Sequence, residues 1–224
     1  MALKIHKNLV ICPSRGRPDT FAQFLTSFRV NSRCSDLMVI LDVSDPLIQK
    51  YDLKAIQHEM CINNRYDNTT DIINWAFNLF NHYEFYSVTN DDFVYQTPGW
   101  DEILCQKRKI SYGNDLLAGS DMPTTSVIDG DIVRALGWLQ LPGTRFLCGD
   151  SAWKAIGHAL DALKYHKDVL IEHRHWSSGH RDPDDTSMRT NNAEVVLDDN
   201  KAFKTWLHER KDSDIKKIKE ALKW

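Results

Sequence analysis

The chain has little that would commit it to a membrane, a disulfide scaffold or a nucleic-acid groove. No apolar run is long enough to span a bilayer, and the N-terminal region offers Leu9-Val10-Ile11 where a secretory signal needs a longer apolar stretch. Its five cysteines (Cys12, Cys34, Cys61, Cys105 and Cys148) are odd in number, widely spaced and without a C-x-x-C. That argues against a zinc knuckle or a disulfide framework and for a reducing compartment, so a cytoplasmic protein is expected. Charge of one sign is missing as well. A formal net charge of −3 over 224 residues leaves no global basic field for nucleic acid or membrane, only local patches. The glycine spacings of a P-loop and of a dinucleotide fingerprint are both absent. Repeats, low-complexity segments and a clear linker are absent too. What remains is an ordinary soluble globular composition, 42% hydrophobic and 26% charged, at a length that suits one large domain with at most an appendage.

The organising stretch is Phe85-Tyr86-Ser87-Val88-Thr89-Asn90-Asp91-Asp92-Phe93-Val94-Tyr95. An apolar strand runs into two adjacent carboxylates and leaves as a second short apolar run. A strand through the middle of a sheet is buried, so Asp91 and Asp92 at its end need positive compensation. A hard divalent cation carrying a phosphate on its far side would supply it, and the carboxyl ends of central strands are where open α/β sheets bind ligands. The plain alternative is a pair of solvated aspartates opening a turn before Thr97-Pro98-Gly99.

Strands and helices alternate around this stretch, the pattern of an α/β fold. Asn8–Cys12 reads as a buried strand that stops at Pro13-Ser14-Arg15-Gly16-Arg17. Pro18 and Asp19 then open a helix with Phe21, Phe24, Leu25 and Phe28 on one face. Strand, glycine-containing loop and helix start present backbone N–H groups to an anion, or else form a simple turn with solvated arginines. Leu37–Leu41 is a second buried strand ending on Asp42, a position suited to a base or ribose or to capping the turn at Ser44-Asp45-Pro46. Met60-Cys61-Ile62 predicts a third strand, Asn63–Asn68 a polar loop, and Thr69 onward a well-buried helix with Trp75 and Leu79 widening its apolar face.

Farther on, Pro98-Gly99-Trp100-Asp101 predicts a helix running to about Tyr112-Gly113-Asn114, and Leu116–Gly119 and Ser126–Ile128 two short strands. A helical run over Ile132–Leu136 ends on Gly137. Asp150 stands where the N-cap of the next helix belongs, with Trp153, Ile156, Leu160 and Leu163 marking its face. It is either that cap or a carboxylate base at the mouth of a site. Tyr165–Ile171 predicts a strand leading into Glu172-His173-Arg174-His175-Trp176, where the two histidines share a face. With His180 and Asp182 they form a candidate metal group. Ser177–Asn192 is polar, a lid or a surface loop. The C-terminus is helical: Phe203, Trp206 and Leu207 dock, and Ile215, Ile218 and Leu222 form a stripe flanked by Lys216, Lys217 and Lys219.

Taken together, the order of these elements from Leu9 to Asn192 resembles the GT-A glycosyltransferases, in particular the compact family-2-like enzymes of bacteriophages. The resemblance rests on Pro13–Arg17, Asp42, Asn90-Asp91-Asp92, Thr97-Pro98-Gly99-Trp100-Asp101, Ala135-Leu136-Gly137-Trp138, Gly149-Asp150 and Glu172-His173-Arg174-His175. One departure stands out: the family's metal motif is usually Asp-x-Asp, and here its first position is Asn90. The resemblance implies a GT-A-like single domain over residues 1–198, with a mostly parallel central sheet flanked by helices, and a C-terminal helical appendage over 199–224.

The implied activity is metal-dependent transfer of a sugar from a nucleotide-diphosphate sugar, a UDP-sugar first, to an acceptor hydroxyl. Pro13, Ser14, Arg15, Arg17 and Asp42 would hold base and ribose, with Asn90 beside them in the motif. Asp91 would contact the ribose or a metal-bound water. Asp92 with His175 or His173 would hold Mn²⁺ or Mg²⁺ on the diphosphate, and Asp150 would be the base, favouring inversion. Phage DNA carrying hydroxymethylated bases, or a surface glycan, would be the acceptor. The competing expectations are a metal-dependent hydrolase built on His173, His175, His180 and Asp182, a nucleotidyltransferase, and a degenerate nucleotide-sugar-binding protein.

Overall fold

The computed structural model describes residues 7–56, 59–64, 68–179 and 182–224. The first apolar run forms β1 (Asn8–Ser14), followed by α1 (Pro18–Asn31) and β2 (Ser35–Asp42). The short α2 (Leu53–Ile56) leads to β3 (Met60–Asn64), which continues two residues past its apolar start, and then to α3 (Thr69–Leu79). The central segment gives β4 (Phe85–Val88) and β5 (Phe93–Tyr95), with α4 (Trp100–Leu104), β6 (Ile110–Asn114) and β7 (Ser126–Asp129) after them. The remainder is α5 (Gly130–Leu136), α6 (Gly149–Leu160), β8 (Leu163–His173), α7 (Asp185–Thr190), α8 (Ala193–Glu209) and α9 (Lys211–Leu222).

Among the described residues the strands form one eight-stranded sheet in the order β3-β2-β1-β4-β7-β6-β8-β5. Pairing is parallel along β3-β2-β1-β4 and between β6 and β8. It is antiparallel through β4-β7-β6 and between β8 and β5. Within the parallel half, β1 and β2 carry apolar side chains on both faces, as a sheet covered by helices requires. Leu9 and Ile11 of β1 point into the core under α3, α5 and α6, while Val10 and Cys12 point into the core under α1. Met38 and Ile40 against Leu37, Val39 and Leu41 repeat the division on β2. Trp206, Ile215 and Ile218 of α8 and α9 belong to the first of these cores. No helix of the described residues is long and apolar enough to cross a membrane.

Several local expectations are corrected. Trp75 and Leu79 are 41% and 53% exposed, so α3 buries a narrower stripe, Ile72, Ile73, Ala76 and Phe77. The helix after Pro98 stops at Leu104, and Ile110–Asn114 is a strand. Leu116 and Leu117, expected in a strand, instead stand exposed on the turn after β6. Here the Asp115 carboxylate accepts from the amides of Leu117, Ala118 and Gly119, an Asx-type turn that outcompetes strand pairing. Leu163 opens β8 rather than closing α6.

The Pro-Gly-Trp-Asp motif has a structural role. Trp100 and Asp101 are fully buried, and the Asp101 carboxylate accepts from the amides of Arg33 and Cys34 and from the Ser35 hydroxyl. It thereby fixes the corner between α1 and β2 beneath the sheet. Removing it strands three donors, those of Cys34 and Ser35 buried, and each buried one costs about 1–3 kcal/mol. Asp101→Ala is therefore expected to destabilise the fold by about 3 kcal/mol or more in urea-unfolding titrations; a loss under about 1 kcal/mol would contradict this assignment.

Candidate active site

Parallel pairing of β1 with β4, Ile11 beside Val88, brings the loops that follow the two strands to the same edge of the sheet. The Ser14 hydroxyl donates to Asp91 Oδ2 at 2.6 Å and lies 2.9 Å from the Tyr51 hydroxyl. Arg17 Nη1 sits 3.1 Å from Asp91 Oδ1 and 3.6 Å from Asp92 Oδ2. Both carboxylates are 3% exposed, so they are buried strand-end charges rather than solvated turn residues. Burial pushes the Asp91 carboxyl up to about 6; Arg17 opposes the shift and Asp92 adds to it.

The antiparallel β5–β8 ladder pairs Phe93 with His173, and the Arg174 amide donates to the Asp92 carbonyl at 2.8 Å. This register sets His173 Nε2 3.5 Å from Asp92 Oδ1. The imidazole stacks on Phe93 with centroids 4.2 Å apart, which fixes its plane. Neither ring nitrogen of His173 makes a hydrogen bond among the described residues, although both are buried. His175 lies past the end of β8, its ring 5.2 Å from that of His173 and its Nδ1 2.6 Å from the Ser177 hydroxyl.

A divalent ion fits this pair. An imidazole and a carboxylate are both competent ligands for Mn²⁺ or Mg²⁺, and such ions take one or two protein groups with substrate phosphates completing the shell. No group of three or more His, Cys, Asp or Glu residues suited to a metal gathers among the described residues. The three-ligand hydrolase expectation draws no support from that, and its His180 lies outside the described residues.

One cleft of about 300 Å³ is lined by Pro13, Arg15, Arg17, Asn90, Asp91 and Asp92, and also by Asp150, His173 and His175. Ser14 and Asp42 are not on its wall. Ser14 stands behind Asp91, while Asp42, 1% exposed, binds Arg15 Nε at 2.8 Å and accepts from the Ser44 amide and hydroxyl. Asp150 is not the N-cap of α6. Cys148 takes that position in a left-handed conformation (φ 68°), and Asp150 falls in the first turn, accepting from the Ser151 amide at 2.9 Å. Its side chain is thus left at the cleft. Burial raises the Asp150 carboxyl above its ordinary value, against the Ser151 amide and nearby His173, with Asp115 pushing the same way.

Several residues of the site carried no sequence signal of their own. Arg17 also grips α7: Nε and Nη2 meet the two Asp184 oxygens at 2.8 and 3.1 Å, and Nη2 meets the Ser187 hydroxyl at 2.9 Å. Thr186 donates to the Arg15 carbonyl, an approach that Gly16 permits because a Cβ there would lie 2.9 Å from Thr186 Oγ1. Within the stretch expected as lid or loop, Asp185–Thr190 is thus a short helix seated across the cleft. On the opposite wall, the fully buried Asp199 of α8 accepts from the amides of Arg145, Phe146 and Leu147, holding the loop that leads to Asp150.

No protein-family model and no curated protein matches the chain. Solved structures do. The fold is GT-A-like. A mannosyltransferase from Pyrobaculum calidifontis, solved with GDP-Man and Mn²⁺, has a TM-score of 0.59 at 11% identity, over 97% of this chain and 74% of that one. Glucosyl-3-phosphoglycerate synthase from Mycobacterium tuberculosis, solved with Mn²⁺, UDP and glucosyl-3-phosphoglycerate, also has a TM-score of 0.59, at 9% identity over 89% of this chain and 80% of that one. TarS of S. aureus in its 1–349 form has a TM-score of 0.58 at 11% identity, with 92% and 74% covered. Against a longer TarS chain the match covers 74% of this chain and 36% of that one. These structural neighbours are nucleotide-sugar glycosyltransferases of the GT-A type.

The Asp199 contacts generate a local prediction. Asp199→Ala should speed amide hydrogen exchange at Arg145, Phe146 and Leu147 by about tenfold or more while leaving Val10 and Ile11 protected. Unchanged exchange across 145–147 would show that α8 does not hold this loop.

Proposed function

We propose that the chain is a metal-dependent glycosyltransferase that moves a sugar from a nucleotide-diphosphate sugar to an acceptor hydroxyl. The observation that carries this reading is the Asp92–His173 pair, which stands in the same cleft as Asp150 on a GT-A-like fold. Asp92 and His173 would hold Mn²⁺ or Mg²⁺, with His175 next to them. The ion, when bound, supplies positive charge against the diphosphate leaving group. Arg17 keeps Asp91 ionised and in place, so the carboxylate faces the donor in a fixed orientation. Asn90, exposed at the mouth, and Pro13 and Arg15 form the wall suited to the nucleoside.

Asp150 would take the acceptor proton as the hydroxyl attacks, and its raised basicity suits that role. Attack from the side opposite the leaving group inverts the anomeric carbon, so an inverting reaction is proposed. UDP is the first nucleotide to test and GDP the second, since both accompany proteins of this fold. Hydroxymethylated DNA stays among the acceptors to screen, with simple glycans beside it.

Asp150→Asn removes the proton acceptor while preserving shape. It should leave the calorimetric affinity for UDP with Mn²⁺ within about twofold and lower sugar transfer by about 10²-fold or more, scored as released nucleoside diphosphate. Transfer at an undiminished rate would take Asp150 out of the mechanism.

A further inference from the structure

Three arginines line the cleft: Arg15, Arg17 and Arg189. Two are committed to carboxylates. Arg15 is paired with Asp42, and Arg17 with Asp91 and Asp184. Arg189, on α7, has a buried Nε that makes no hydrogen bond, and no ion pair of its side chain with a carboxylate is found among the described residues. A guanidinium buried in part without an anion is costly, because its desolvation is uncompensated.

The position of Arg189 is nevertheless fixed. Its guanidinium carbon sits 5.4 Å from the ring centroid of Phe146, and the Phe146 amide is held by Asp199. The other end of α7 is anchored on the opposite wall by Arg17–Asp184 and by Thr186 on the Arg15 carbonyl. The helix therefore bridges the cleft and carries a planar, five-donor cation whose partner is missing from the described protein groups. Guanidinium groups match phosphate oxygens in a bidentate fork, and stacking on an aromatic face pre-orders the fork.

We propose that Arg189 is the anion-binding residue of the cleft and takes phosphate oxygens of a bound substrate. The phosphate comes either from the donor diphosphate or from a phosphorylated acceptor; assigning it to one or the other rests on the glycosyltransferase reading, whereas the anion site itself does not.

The test is calorimetric titration of the full chain, Arg189→Gln, Arg189→Lys and Asp92→Ala with UDP, pyrophosphate and inorganic phosphate, each with Mn²⁺. Circular dichroism melting checks that the variants fold. Arg189→Gln should weaken at least one probe by about tenfold or more, with partial recovery in Arg189→Lys, which keeps the charge and loses the fork. UDP and pyrophosphate weakening together identify the donor diphosphate. Inorganic phosphate weakening with UDP unchanged identifies a phosphorylated acceptor. Equal affinities of full chain and Arg189→Gln for all three probes overturn the inference, as does a full chain that binds none of them. If Asp92→Ala loses UDP while Arg189→Gln loses nothing, the nucleotide reading stands and this one falls. If the full chain ignores UDP yet Arg189→Gln weakens phosphate, the reverse holds.

Discussion

Two carboxylates buried side by side at the end of a β-strand persist only where positive charge faces them, and Arg17 supplies that charge here. Burial works against the guanidinium's own charge, and Asp91, Asp184 and Asp92 together more than restore it, so Arg17 stays protonated. The remaining geometry follows from accommodating this cluster. Ser14 and Tyr51 extend it backward through hydrogen bonds. Asp184 and Ser187 extend it upward into α7, and the β5–β8 register brings His173 to its flank.

The chain buries many aspartates, and their partners divide them by role. Asp101, Asp115 and Asp199 each accept from several backbone amides, satisfying donors that corners and loops would otherwise leave unpaired. They are clamps on backbone and do not line this cleft. Asp91, Asp92 and Asp150 line the cleft, with Arg17 and His173 as neighbouring cations or ligands and the Ser151 amide donating to Asp150. A ligand can still improve the electrostatics of the second group, whereas backbone donors already answer the first. Placement of these clamps also ties the distant C-terminal helices to the site, because Asp199 sets the path of the loop before Asp150.

This division explains what was legible in the sequence. Apolar runs at β1, β2 and β4 and the periodicity of α1 and α5 are local signals, and each appears in the structure where the pattern put it. The Asp91-Asp92 pair and the two histidines could be singled out, and the fold does bring Asp92 to His173, because strand-end charges and same-face spacing are sequence properties. The strand expected at Leu116–Gly119 failed because a buried carboxylate, Asp115, redirected the backbone. The N-cap reading of Asp150 failed because Cys148 adopts a left-handed cap that its residue type does not announce. Arg189, Asp199 and the seat of α7 were invisible for another reason. Their partners lie far along the chain: Phe146 for Arg189, residues 145–147 for Asp199, and Arg15 and Arg17 for α7.

Arg17 occupies a position with consequences for the whole cleft. One side of its guanidinium faces Asp91 and Asp92 and the other faces Asp184 and Ser187. A single planar group cannot change its interaction on one side without altering the balance on the other. Charge arriving at Asp92 therefore acts, through Arg17, on the seat of α7, and displacement of α7 acts on the charge felt by Asp91, since coupling between two contacts of one residue is reciprocal. The same helix carries Arg189 to the far wall, so the seating of α7 and the presentation of its one uncommitted cation are set by the same few hydrogen bonds. A cleft organised this way is chemically complete only when the charges on both its walls are answered, which favours a substrate that brings negative charge over a neutral one.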